Sequence, residues 1–341
     1  MNLKKSQIII PFSLLLSLIL ALRPMEASAN IPAFEKSAEN IIYTSRLYND
    51  IAYLCDSICD GRASGSLGGI MVSHWAKQNF EKWKLTPIGE NYYQCCRSTD
   101  STLIHNVCAV LSSNRNPQKK CQYIVVCAHM DGIGRINDQL YPGADSNASG
   151  CVATINLAKM FSGIKMLGVG PTQRLMFVLF DGKEKGSRGA EEWVRRLKAG
   201  ELIDPVSGAP IQEKDIKMLV NIDQIGATYS PVNKDKKDYL MMLGNERLPQ
   251  SMQSVAKKIA REESCHLDLT YDYYGSSNFT RIFYRLADRE FLSSCSFPMV
   301  FFTSGITFHN NKPSDTAESL DYEVYRKRIL FIFHWLCRFA Y

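Results

Sequence analysis

Four short apolar runs constrain this 341-residue chain more than any other feature: Tyr123 to Cys127, Leu175 to Phe180, Met218 to Ile222 and Met299 to Phe302. Each is continuously hydrophobic rather than alternating, the pattern of strands covered on both faces. Helical patterns lie between them. Val152, Ile155, Ala158 and Phe161 recur at three-residue spacing after Ser149 and Gly150, and Glu191 to Leu197 follows Gly189. A further apolar helix runs through Ile329, Phe333 and Leu336 at the chain's end. Strands alternating with helices predict an α/β fold, a three-layer α/β/α sandwich around a mixed, largely parallel central sheet. Ahead of this core, residues 33 to 60 and 68 to 84 read as helical, with Trp75, Phe80 and Trp83 as packing residues rather than a cofactor box.

The first 29 residues read as separate from that fold. Lys4 and Lys5 precede an apolar run from Ile8 to Leu22, and Ala27, Ser28 and Ala29 supply a small-residue cleavage site, which together make a secretory signal peptide. A spanning helix needs about 20 apolar residues; this run is shorter and holds Pro11. Residues 30–341 then form one exported domain, periplasmic or extracellular, with no stable membrane insertion after cleavage. Cleavage removes Lys4, Lys5, Arg23 and Glu26 and lowers the net charge from +6 to +4. The remaining basic residues are scattered, and Lys234 to Lys237 is interrupted by Asp235, so no nucleic acid partner is indicated. All eleven cysteines lie in the exported part, where some are able to pair. None forms the C-x-x-C doublet of a zinc finger or redox site, and Cys127 and Cys151 fall in apolar segments as small buried hydrophobes.

Each apolar run is followed by a group able to bind a metal, and ligands of open α/β sheets gather outside the carboxyl ends of the strands. After the first comes Ala128-His129-Met130-Asp131; after the second, Asp181-Gly182-Lys183-Glu184; after the third, Asp223; after the fourth, Thr307-Phe308-His309. A fifth acid, Asp145, lies in the turn-forming stretch Pro142 to Gly150. Two imidazoles and three carboxylates make an N/O donor set suited to zinc, and too few to close two tetrahedral sites unless one carboxylate bridges. Singly, a histidine after a strand or an aspartate before a helix means little; the latter is commonly an N-cap.

In these segments, together with Asp60-Gly61-Arg62, Gly65-Ser66, Asn106-Val107, Glu184 to Gly189 and Ser314-Asp315-Thr316, the chain resembles the co-catalytic two-zinc aminopeptidases of peptidase family M28. The resemblance implies two Zn2+ ions, with Asp145 as bridging carboxylate, His129 and Asp223 completing one site and Glu184 and His309 the other. It makes Asp131 the acceptor of the other ring N–H of His129, as ligating histidines generally require. It also implies peptide substrates with a free amino terminus, attacked by a metal-activated water.

One residue departs from the pattern. The family usually carries two consecutive glutamates at the second strand end, the first a general base and the second a ligand; here the pair reads Lys183-Glu184. A base must be unprotonated near working pH, and lysine starts near pKa 10.4. Neutrality at pH 7 therefore requires a shift of about 3 units, roughly 4 to 5 kcal/mol. Three readings follow: an active aminopeptidase with a neutral or oxyanion-stabilising Lys183, a catalytically impaired member that binds peptides or serves a structural role, and an acyltransferase like the glutaminyl cyclases, which share the fold.

The remaining histidines, His74, His105, His266 and His334, have no ligand-like context. Asp288 matches a family segment that reads Ser-Asp-His near the site, and Tyr271, Tyr273 and Tyr274 are candidates to line a pocket or simply to lie half-buried.

Overall fold

The computed structural model describes residues 31–114, 121–229, 236–262, 264–286, 292 and 294–341. The leader, Lys234, Asp235, Asp288 and the side chain of Tyr274 lie outside them.

The amino-terminal stretch forms two helices and a turn, correcting the expectation of helix throughout residues 33 to 60. Helix α1 (Ile31–Glu39) and α2 (Thr44–Cys55) are separated by residues 40–43, with Tyr43 extended at φ −142°, ψ 155°. Asp56 is extended as well, and its carboxylate accepts the Ile58 N–H at 2.9 Å, which starts a separate turn over Ser57–Arg62. Helix α3 (Leu67–Lys82) begins at Ser66, whose hydroxyl accepts the Gly69 N–H, an N-cap that satisfies one orphan donor of the first turn.

The strands follow as β1 (Thr86–Pro87), β2 (Tyr93–Arg97), β3 (Leu103–Leu111), β4 (Tyr123–His129), β5 (Gly134–Ile136) and β6 (Gln139–Tyr141), then α4 (Gly150–Met166) and β7 (Arg174–Phe180). After these come α5 (Arg188–Ala199), β8 (Ile216–Ile222), β9 (Tyr239–Leu243), α6 (Gln250–Ile259), β10 (Asp268–Thr270), α7 (Ser277–Leu286), β11 (Met299–Thr303) and α8 (Tyr322–Ala340). The main sheet runs β1-β3-β7-β4-β8-β11-β9-β10, with β2 paired to β3. The four apolar runs are its centre, β7-β4-β8-β11, and all three of their pairings are parallel. Antiparallel pairs flank them at β3·β7 and β9·β11, so the sheet is mixed as expected.

Every residue of β4 and β7 is buried. Ile124, Val126 and Ala128 pack into one apolar layer with α4 and α8, whereas Tyr123, Val125 and Cys127 pack into another with Trp193 and Leu197 of α5. A strand coated on both faces has no polar position for alternation to mark, which is why the runs read as unbroken. The parallel centre aligns four strand ends on one edge, where His129 closes β4 and the loops leaving the other three carry Lys183, Asp223 and His309. Among the described residues no helix is long and apolar enough to cross a membrane.

Candidate metal centre

The turn after β7 is built by glycine. Gly182 and Gly186 hold φ of +79° and +76°, the left-handed region that glycine enters without a Cβ penalty. At Gly189 a Cβ would come within 2.1 Å of both Asn106 Oδ1 and the Asp181 carbonyl. The Gly186 and Ser187 N–H groups both donate to the Lys183 carbonyl at 3.1 Å. The Glu184 N–H donates to Asp131 Oδ2 at 2.9 Å. So anchored, the turn sends Lys183 inward and leaves Glu184 exposed.

Lys183 Nζ lies 3.2 Å from Asp223 Oδ2 and 3.4 Å from His129 Nε2, and that Nε2 is 3.7 Å from Asp223 Oδ1. His129 Nδ1 donates to the Asp131 carbonyl at 3.1 Å, with the Asp131 carboxylate 3.6 Å away. Burial, and next the Lys183 ammonium, push the His129 ring toward neutrality, but the Asp223 and Asp131 carboxylates outweigh both and lift its pKa to about 9. Burial works against ionisation of Asp223 as well, yet Lys183 and His129 hold its carboxyl well below the usual range. Beneath this group, the Ser64 hydroxyl donates to Asp181 Oδ1 at 2.6 Å and lies 3.4 Å from Asp131 Oδ2. Burial first, then the Asp131 charge, pushes Asp181 up to about 6.

Asp145 faces a different set of partners. Its Oδ1 accepts the N–H groups of Gly226 and Ala227 at 2.8 and 3.0 Å, and its Oδ2 accepts Gln224 Nε2 at 3.0 Å. The side chain is fully buried; burial and then the neighbouring Asp315 lift it to about 7. Asp315 in turn accepts the N–H groups of Asp145 and Ser146 at 2.9 and 3.1 Å. His309 is half-buried, with Nδ1 2.9 Å from the Ser314 hydroxyl.

Two buried arginines hold these loops, and nothing in their sequence context singles out that role. Arg62 donates through Nε to the Met130 carbonyl at 3.0 Å, through Nη1 to those of Leu54 and Pro142, and through Nη2 to that of Gly143 at 2.8 Å. It thereby clamps the loops on either side of His129 and Asp145. Arg328 of α8 donates to the carbonyls of Tyr239, Ile225 and Ala227, fixing the segment whose N–H groups hold Asp145.

A family model described as Peptidase family M28 matches residues 106–334, well over half of the chain. The chain belongs to peptidase family M28. Among solved structures, the M28 chain is similar to the LapA aminopeptidase of Legionella pneumophila, with a TM-score of 0.68 and 15% identity over 91% of this chain and 75% of that one. A glutaminyl cyclase of Fimbriiglobus ruber gives 0.64 at 17% identity, covering 86% of this chain and 94% of that one. BSAP, a zinc aminopeptidase from Bacillus subtilis, gives 0.62 at 11%, covering 87% and 95%. At these identities the likeness establishes the fold. Curated relatives match a shorter stretch: Transferrin receptor protein 2 of Rattus norvegicus is 33% identical and that of Homo sapiens 31%, each over 94 residues and 28% of this chain. The M28 chain spans about a tenth of the length of these relatives.

Of the residues that the resemblance makes ligands, His129 and Asp223 do not fit a shared ion as they stand, because the Lys183 ammonium lies against both. Asp145 accepts donors from residues 224–227 on both oxygens, which by itself is compatible with ligation, since a carboxylate has about four acceptor positions and ligating carboxylates are hydrogen-bonded as a rule. Between His129 and Asp223 an ammonium is already in place; at an effective dielectric near 20, unit charges about 4 Å apart repel by roughly 4 kcal/mol, and a dication doubles that. Among the described residues, no group of three His, Cys, Asp or Glu side chains converges as metal donors.

Proposed function

We propose that this protein keeps the cleft of its family for binding peptides and has given up hydrolysis by a metal-activated water. The observation that carries this reading is the Lys183 ammonium, which lies against both His129 Nε2 at 3.4 Å and Asp223 Oδ2 at 3.2 Å, where an ion joining the two would sit. Peptides with a free amino terminus remain the partner of choice, because the exposed Glu184 offers a carboxylate at the sheet edge. The loop after the fourth apolar strand exposes Ile306 and Phe308, with Lys312 Nζ 3.7 Å from the Phe308 ring centroid. A carboxylate for an ion pair and an exposed apolar and aromatic surface are the two features that a peptide terminus and its first side chain call for. The curated relatives bear the name of a receptor rather than a peptidase, which agrees with a binding role. Export to the periplasm or outside the cell rests on residues 1–29 and their signal-peptide pattern.

The competing reading is an exported zinc aminopeptidase with two Zn2+ ions. The family match and the placement of His129, Asp223 and Glu184 beside strand ends favour it. The cyclase reading has the Fimbriiglobus ruber neighbour in its favour and meets the same Lys183 ammonium between His129 and Asp223.

The deciding experiment assays the protein from Asn30 onward against aminoacyl anilides, beside Lys183→Glu and Glu184→Ala, and measures binding of peptides with free and acetylated amino termini. No turnover in the unaltered protein or in Lys183→Glu, with preference for the free terminus, is the expected result. Turnover abolished by Glu184→Ala would restore the peptidase reading. Turnover in Lys183→Glu alone would mean an intact centre lacking only its base.

A further inference from the structure

The strand-end cluster is rich in buried acid. Asp131, Asp181 and Asp223 are all nearly inaccessible, at 2%, 6% and 9% exposure, and the first two approach the same Ser64 hydroxyl. One oxygen of Asp131 is buried without a hydrogen-bond partner. Buried carboxylates need a counter-charge or they lose their ionisation. In a metal centre the ion supplies it. Here Lys183 sends its ammonium to Asp223 Oδ2 at 3.2 Å, with His129 Nε2 at 3.4 Å.

We propose that the Lys183 ammonium is the resident cation of this site, lying against both His129 and Asp223 where a metal joining them would have to bind, so that the cluster is complete without metal. The inference rests on the reading of a non-hydrolytic site and gives the physical device that replaces the ion. Three features carry it. The turn from Asp181 to Gly189 is pinned by backbone bonds at both Lys183 and Glu184, so the side chain that points inward is fixed by the fold. The distances from Nζ to both partners are those of contact, leaving no room for an intervening ion. A primary ammonium also donates hydrogen bonds without any requirement for ligand number, which suits a cluster whose other donors point elsewhere.

The test is a metal titration of the whole chain from Asn30 onward, using Co2+ absorbance and thermal unfolding with Zn2+ or with a chelator. The unaltered protein and Lys183→Arg, which keeps the cation, are expected to be indifferent to all three additions. Lys183→Ala, which vacates the position, is expected to take up Co2+ at least about tenfold more tightly and to unfold at a higher temperature when the metal is present. Metal binding by the unaltered protein as tight as by Lys183→Ala, or a chelator-sensitive unfolding temperature, would overturn the proposal. So would a folded Lys183→Ala that gains no affinity. If Lys183→Ala does not fold, metal indifference in the unaltered protein supports the proposal and metal-dependent stability defeats it. Anilide turnover bears on the functional reading and is scored separately, so the two failures are distinguishable.

Discussion

Asp145 Oδ1 accepts the backbone N–H of Gly226 at 2.8 Å, joining two loops 81 residues apart. With the Ala227 N–H and the Gln224 amide, it makes Asp145 the peg on which the segment after β8 hangs. Asp145→Asn puts an NH2 donor against the donors at Gln224 or Gly226, and a buried donor left without an acceptor costs about 1 to 3 kcal/mol. Urea unfolding is expected to show a loss of that size. A metal-ligand role would instead show as a change in metal content with little change in stability of the metal-free form.

The raised pKa values give the site a signed pH dependence. Asp145 near 7 and Asp181 near 6 both exceed the unfolded carboxylate value, roughly 3.9. Groups raised in the folded state contribute stability that is complete below the unfolded pKa and lost as pH rises through the folded one. His129, near 9 against an unfolded value of roughly 6.5, has the same sign and acts in a higher window. Asp223, held low, acts oppositely and loses its contribution only in strong acid. The unfolding temperature is therefore expected to fall from about pH 5 to pH 9, most steeply below about pH 6, where the Asp145 and Asp181 windows overlap, and again near pH 7, where those of Asp145 and His129 meet. A curve that rises over this range would contradict the charge arrangement.

Arg62 is wholly buried and donates to four carbonyl groups. Lysine has no planar fork, so Arg62→Lys leaves carbonyls on both flanking loops unpaired. A loss of about 3 kcal/mol or more is expected, at or above the upper end of ordinary single substitutions. Chemical denaturation measures it, and hydrogen exchange is expected to rise first at Gly132, whose N–H donates to the Arg62 carbonyl at 3.1 Å.

The buried His334 ring on α8 sits between two acids of α1, with Nδ1 2.9 Å from Glu35 Oε2 and Nε2 3.0 Å from Glu39 Oε1; Arg338 donates to both Glu35 oxygens, at 2.8 and 3.1 Å. Removing the imidazole leaves buried carboxylate oxygens short of a hydrogen-bond partner, at a cost of about 1 to 3 kcal/mol. His334→Ala is accordingly expected to loosen α1 from α8. Faster hydrogen exchange across residues 31–39 with little change in the central strands would register it.

The sequence by itself determined the central strands, because a strand covered on both faces must be apolar throughout, and that leaves a mark in consecutive residues such as Leu175 to Phe180. It determined the order of the acids and histidines behind those strands, and it showed Lys183 beside Glu184. The break in the helical stretch near Asp56 was less legible, since helix propensity is local and weak while a single cap bond redirects the chain. Where the Asp145 carboxylate would be spent, that His334 would meet Glu35 and Glu39, and that Arg62 and Arg328 would be buried against loop carbonyls were decided by the tertiary structure alone. Hydrophobic periodicity records only whether a position is covered. The partner of a buried polar group is supplied by backbone tens to hundreds of residues away, once the parallel sheet has brought its strand ends to one edge.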